Sequence, residues 1–176
     1  MANKYFYLNT SKENTSLLQN WSGIYGNLGK CRGVVLHDSA AGMGATARSV
    51  AQYTVNDMNN ANYHNSIDGS NGCYAVVMQT VGAYHSGSAE GNQYYIGIEI
   101  ASSLTGGSFA TSADKTKYYK NWDEACKLVA DYLVYFGLDH THVKQHKQFS
   151  STSCPYTMSI YCGSASNALS QTQAKV

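Results

Sequence analysis

The apolar positions of this chain follow two different periods, and the changes between them mark its elements. Cys31 to His37 (CRGVVLH) is a short Val-rich run that stops at His37-Asp38-Ser39 and gives way to the glycine-punctuated AAGMGA, which predicts a buried strand carrying a histidine at its end. From Thr46 the period changes: Val50, Tyr53, Thr54, Asp57 and Met58 recur at spacings of three and four, with Thr46 as cap, predicting a helix to about Asn59 that NNAN terminates. A turn at Asp68-Gly69-Ser70-Asn71-Gly72 then precedes the strand-like CYAVVMQT, and a second strand, YYIGIEI, runs from Tyr94 to Ile100. The middle of the chain therefore reads mostly as sheet.

Beyond the loop SSLTGGSFATSAD, Trp122, Cys126, Val129, Ala130, Leu133 and Phe136 repeat at helical spacing, and Gly137 is placed to stop that helix. The stretch VKQHKQFSSTSCPYTMSIYC reads as a loop to Cys154, with Pro155 as the first residue of a short helix. Residues 1–30 read as an irregular lead-in, in which Leu17, Leu18 and Trp21 make a short apolar face. ASNALSQTQAKV is small and polar, so the expected organisation is one domain over residues 1–164 and a polar tail or linker over 165–176. There is no internal repeat. The order strand, helix, strands, helix predicts an α/β fold with a mixed central sheet flanked by helices.

Composition narrows the function. A chain of 176 residues suits one domain, and 43% hydrophobic with 13% charged residues and a net charge of +1 excludes both a disordered chain and a broadly basic nucleic-acid binder. No apolar stretch approaches the roughly 20 residues a membrane span needs, and MANKYFYLNTSKEN lacks the apolar middle of a secretory signal. The expectation is a monomer made in the cytoplasm, with no membrane or nucleic-acid partner. Fifteen tyrosines against four phenylalanines suit a core that opens at a polar groove handling sugars or peptides. The five cysteines, at 31, 73, 126, 154 and 162, are an odd number without zinc-ribbon pairing, so at least one thiol stays outside any internal disulfide; Cys31 with Cys73, or Cys126 with Cys162, are the pairs open to oxidation.

A catalytic zinc site needs three nitrogen, sulfur or oxygen ligands and one open position. His37, His146 and Cys154 meet that demand: seven residues of a Ser/Thr-rich loop separate His146 from Cys154, while His37 arrives from a distant strand end. Taken alone, these residues are equally a hydrogen-bonded histidine and an inert thiol, or a Cys154 nucleophile with His146 or His37 as its base. Strand alternation sets the Glu99 carboxylate opposite the side chains of Ile98 and Ile100, facing either solvent or a cleft. His140 and His142 would share a face on an extended segment and are read as a solvated turn, and His64 as core or sheet-edge packing.

Read together, VVLHDSA, ANYHNSID, GAYHSG, YYIGIEI and HKQFSSTSCP, with its H-x7-C-P spacing, resemble the zinc-dependent N-acetylmuramoyl-L-alanine amidase domain of phage endolysins, bacterial autolysins and peptidoglycan recognition proteins. The resemblance runs from about Gly33 to Pro155. It implies Zn²⁺ held by His37, His146 and Cys154, with Glu99 as general base, Tyr63 donating to the oxyanion, and Tyr84 and His85 on the substrate groove. Thr152 stands two residues before the cysteine, where many relatives have lysine; a hydroxyl donates a hydrogen bond without positive charge, shifting more of the stabilisation onto zinc and Tyr63. The implied substrate is bacterial peptidoglycan, cut at the bond between N-acetylmuramic acid and L-alanine after release to the wall. A domain that binds this polymer without cutting it is the non-enzymatic alternative.

Overall fold

The computed structural model describes residues 13–20, 28–70 and 72–176. The Val-rich run forms strand β2 (Gly33–Asp38), buried along its whole length, and YYIGIEI forms β5 (Tyr95–Ile100). Between them lie α1 (Ala47–Asn56), β3 (Asn65–Asp68), β4 (Gly72–Ala75) and α2 (Ala89–Tyr94). A two-residue strand, β1 (Glu13–Asn14), precedes them; α3 (Ser112–Phe136), β6 (Val143–Gln145), α4 (Tyr156–Cys162) and α5 (Ala165–Lys175) follow. The strands form one six-stranded sheet in the order β1-β4-β3-β5-β2-β6. Among the described residues only β3 and β4 pair antiparallel, so the sheet is mixed and β2 lies between two parallel neighbours.

Alternation along β2 and β5 sorts the two faces of the sheet. Val34, Leu36, Ile96, Ile98 and Ile100 pack with Ile67 against Tyr118, Trp122, Ala125, Leu128, Val129 and Tyr132 of α3, making the larger core. On the other side α1 brings Val50 and Ala51 to Tyr63, Val76 and Val77. Thr46 caps α1 as expected, its hydroxyl accepting from the Ser49 N–H, and a buried Asp68 carboxylate accepts from the Ala47 N–H at 2.5 Å. Gly137 ends α3 in the left-handed conformation with φ 65°, which glycine adopts without a Cβ clash. Among the described residues, no helix is long and apolar enough to cross a membrane.

The differences from the sequence reading have physical causes. The strand read over 73–80 stops at Ala75 and continues only as a single bridge from Val77 to Gln19. Part of the expected lead-in is β1, and Leu17 packs on the smaller core; Trp21 lies outside the described residues. The first helix ends three residues early, with Asp57 as its cap, and Pro155 caps α4 instead of opening it. The short elements β3, β6 and α2 carry too few residues for a period and are set by their neighbours.

The expected tail behaves differently again, because residues 165–175 form α5 and dock. Ala168 and Thr172 are buried against Met158 and Trp122, whose indole N–H donates to the Thr172 hydroxyl at 3.1 Å, and Lys175 pairs with Asp123 at 2.8 Å. A chain ending at Ser164 should therefore lose ~2–4 kcal/mol and unfold roughly 5–15 °C lower, as read by calorimetry. An unchanged midpoint would show that the segment is a dispensable tail.

Candidate metal centre

His37 and Glu99 are direct partners in the parallel pairing of β2 with β5, and Ser66 of β3 pairs Glu99 on its other side. By alternation these side chains share the face that α1 covers, away from α3. The β2–β6 register pairs Leu36 with Gln145, so the next residues, His37 and His146, come together, with ring centroids 4.5 Å apart. Cys154 arrives on a loop folded back onto the same strand ends. Its carbonyl accepts from the Lys147 N–H at 3.0 Å, its N–H donates to the Thr152 hydroxyl at 3.2 Å, and its sulfur accepts from the Asp38 N–H at 3.4 Å. His37, His146 and Cys154 each offer one ligand atom, and the three atoms lie within 4.8 Å of one another.

Asp38 holds this loop in place from the opposite face. Its buried carboxylate accepts from the Tyr118 hydroxyl at 2.7 Å and from the Met158 N–H of α4 at 3.1 Å, which ties the helix after Cys154 to the end of β2. Burial raises its pKa to about 6 against the pull of those donors. Sequence reading passed over Asp38; the available signal was its alternation with His37, which sends a carboxylate into the α3 side where it must be paired.

The electrostatics follow from burial. Desolvation lowers His37 well below the ordinary histidine range, with His85 and His146 adding to the effect, and it also lowers His146. Burial, then the Glu99 carboxylate, pushes the Cys154 thiol up. The arrangement is one in which burial disfavours both the imidazolium and the thiolate that a Cys154 nucleophile would need. It is, however, the N, N, S donor set that zinc takes.

Two further groups support that fit. Glu99 Oε1 lies 3.9 Å from His37 Nδ1, while its Oε2 is buried without a hydrogen-bond partner. Its side chain is 16% exposed, enough to reach the groove but too little to be well hydrated, and burial followed by repulsion from Asp38 raises its pKa to about 8. The Tyr63 hydroxyl is likewise buried, with the side chains of Thr54 and Ser66 beside it, and desolvation holds it protonated. Tyr63 and Glu99 line one cavity of about 650 Å³ with Ser39, Val50, Tyr53 and Thr54.

The remaining expected residues divide. Thr152 borders a second cavity of about 380 Å³ with Asp38, Cys154 and Tyr156, and its oxygen is engaged by the Cys154 N–H. Ala40 borders both cavities, the first lined by Glu99 and the second by Cys154. Tyr84 is 39% exposed, but His85, expected on the groove, is buried behind His37, its Nδ1 3.0 Å from His37 Nε2. The reason is Gly97, whose missing side chain leaves room for the His85 ring. His64 is core, as expected, between the Gly97 N–H and the Val81 carbonyl. His140 and His142 lie in a 3-10 turn, with His142 paired to Asp139 at 3.0 Å. A third cavity of about 600 Å³, lined by Lys30, Arg32, Tyr94 and His142 among others, sits at the start of β2, away from the donors. All five cysteines are free, and Cys31, Cys73 and Cys126 are buried.

The family described as N-acetylmuramoyl-L-alanine amidase matches residues 27–157. Among solved structures, the PlyG catalytic domain superposes with a TM-score of 0.72 at 18% identity, covering 93% of this chain and 94% of that one. The catalytic domain of XlyA gives 0.70 at 20% identity, covering 93% and 97%. The Staphylococcus aureus hydrolase AmiA, solved with its ligand, gives 0.64 at 19% identity, covering 93% and 80%. At these identities the structures establish a shared fold.

The Glu99 environment yields a pH test. Its folded pKa of about 8 lies above the ordinary 4.5, so its stability contribution is full below pH 4.5 and is lost as pH rises through about 8. In chelator-stripped protein, Glu99→Gln should therefore be progressively more stable than the parent as pH rises through that window, by on the order of a few kcal/mol at the upper end. A pH-independent difference in thermal midpoint would show that Glu99 is hydrated and unshifted.

Proposed function

The chain belongs to the N-acetylmuramoyl-L-alanine amidase family, and from that membership we propose a zinc-dependent mechanism carried by His37, His146, Cys154, Glu99 and Tyr63. The enzyme hydrolyses the amide joining N-acetylmuramic acid to L-alanine in bacterial peptidoglycan. The single observation that carries the metal reading is the convergence of two imidazoles and one thiol, drawn from β2 and the β6–α4 loop, to within 4.8 Å. When bound, zinc supplies a Lewis acid for the scissile carbonyl and makes a water acidic enough to attack at neutral pH.

The chain's own residues manage the protons and the charge. Glu99, with Oε2 unpartnered, takes a proton from the attacking water and passes it to the alanine nitrogen as the C–N bond breaks. In the metal-free protein burial raises this group to about 8, and a bound cation would favour the carboxylate that accepts the proton, while the raised basicity favours holding it until the amine departs. Tyr63 donates its hydroxyl proton in a hydrogen bond to the carbonyl oxygen as negative charge develops there; burial keeps the phenol neutral and able to donate. Thr152 acts chiefly on the Cys154 loop through the bond its oxygen accepts. The two adjoining cavities, one lined by Tyr63 and Glu99 and the other by Thr152 and Cys154, suit a substrate that extends both ways from its scissile amide, toward glycan and toward peptide. The protein acts as a monomer, with a catalytic unit that includes α5.

The decisive assay digests purified wall and identifies the new ends. Free lactyl-muramic acid and peptides beginning with alanine are expected, activity should vanish with a chelator and return with Zn²⁺, and Cys154→Ser should lose both metal and activity. Activity that survives chelation but falls to thiol alkylation would overturn the zinc reading in favour of a cysteine enzyme. Wall binding with no new ends would point to a recognition module. In the zinc-loaded enzyme, Glu99→Gln should lower kcat by ~10²–10⁴-fold and Tyr63→Phe by ~10–10³-fold, with zinc content unchanged in both. A Tyr63→Phe enzyme at full kcat would remove Tyr63 from the chemistry.

A further inference from the structure

Behind His37 the hydrogen bonds fix where each proton must sit. The Tyr95 carbonyl, which can only accept, faces His85 Nε2 at 3.2 Å, so Nε2 carries the His85 proton. His85 is buried with no acidic partner at its ring among the described residues, so with the proton on Nε2 its Nδ1 is left as an acceptor. That nitrogen lies 3.0 Å from His37 Nε2, so His37 must donate there and keep a bare lone pair on Nδ1. Nδ1 is the atom on the side of the donor cluster, 3.9 Å from Cys154 Sγ.

The rest of the segment braces this chain of bonds. A Cβ at Gly97 would lie 2.7 Å from His85 Cγ and 2.9 Å from its Nδ1, so glycine in YYIGIEI is what admits the ring. The Gly97 N–H donates to His64 Nδ1 at 2.9 Å, and His64 Nε2 donates to the Val81 carbonyl at 2.9 Å, which holds the strand under His85. The backbone N–H groups of His85 and Ser86 both donate to Asn92 Oδ1, at 2.9 and 2.7 Å.

We propose that His85 is a positioning residue of the metal centre: through the relay from the Tyr95 carbonyl it locks His37 in the Nε2–H tautomer and aims the Nδ1 lone pair at the cation. This rests on the zinc reading above. Groups that orient a ligating histidine in this way typically change metal affinity by ~10–100-fold when removed. His85 does not touch substrate, and its effect passes through His37.

Two measurements test the assignment, one of them independent of any variant. Long-range ¹H–¹⁵N correlation spectra of the metal-free parent at pH 7 should show both His37 and His85 protonated at Nε2. A His37 protonated at Nδ1 overturns the proposal. Zinc dissociation constants from chelator competition should then weaken by ~10–100-fold in His85→Leu, while His85→Gln, whose amide oxygen can still accept, recovers part of the loss. Equal affinities in parent, His85→Leu and His85→Gln would also overturn it. A parent that fails to bind zinc refutes the zinc reading instead, and the tautomer spectra still decide the relay.

Discussion

Parallel pairing of β2 with β5 places His37 directly across from Glu99, and pairing of β2 with β6 delivers His146 beside it. Because side chains alternate along β2, the next residue, Asp38, points to the opposite face, where Tyr118 and the start of α4 hold its carboxylate. One strand end thus carries both a histidine of the donor cluster and the anchor for the loop bearing Cys154. A one-residue slip of β2 would exchange the two, burying an imidazole against α3 and turning the anchor into the groove. The hydrophobic set Val34 and Leu36, buried under α3, is what forbids that slip.

The groups gathered at this strand end share an electrostatic character. Burial disfavours the charged forms of His37, Glu99, Cys154 and Tyr63 alike. A divalent cation reverses that balance locally, because it favours thiolate and carboxylate and takes neutral imidazole as ligand. Fold and electrostatics are therefore coupled: the same desolvation that disfavours charge on the imidazoles also raises Glu99, and a cation held by the donor cluster would favour its carboxylate form.

How much of this was legible in the sequence depended on how long each signal was. Strand β2, strand β5 and helix α3 have runs or periods long enough to read, whereas the donor set was legible only through the family resemblance of several segments taken together. Strand β6, which ends one residue before His146, has three residues and owes its existence to the edge of β2, so no local pattern announces it. His85 sits among turn residues and tyrosines, which suggests exposure; what buries it is a glycine on another strand. Helix α5 anchors through Ala168 and Thr172, two small residues in a polar stretch, and shows almost no apolar stripe. Local periodicity reports burial by large side chains, whereas these features are set by close approach and by pairing across the chain.

X-ray absorption at the zinc edge tests the central claim most directly. The account predicts a four-coordinate ion with one sulfur at ~2.3 Å and two imidazole nitrogens at ~2.0–2.1 Å, the sulfur disappearing in Cys154→Ser. A coordination shell made only of oxygen and nitrogen in the parent protein would contradict it.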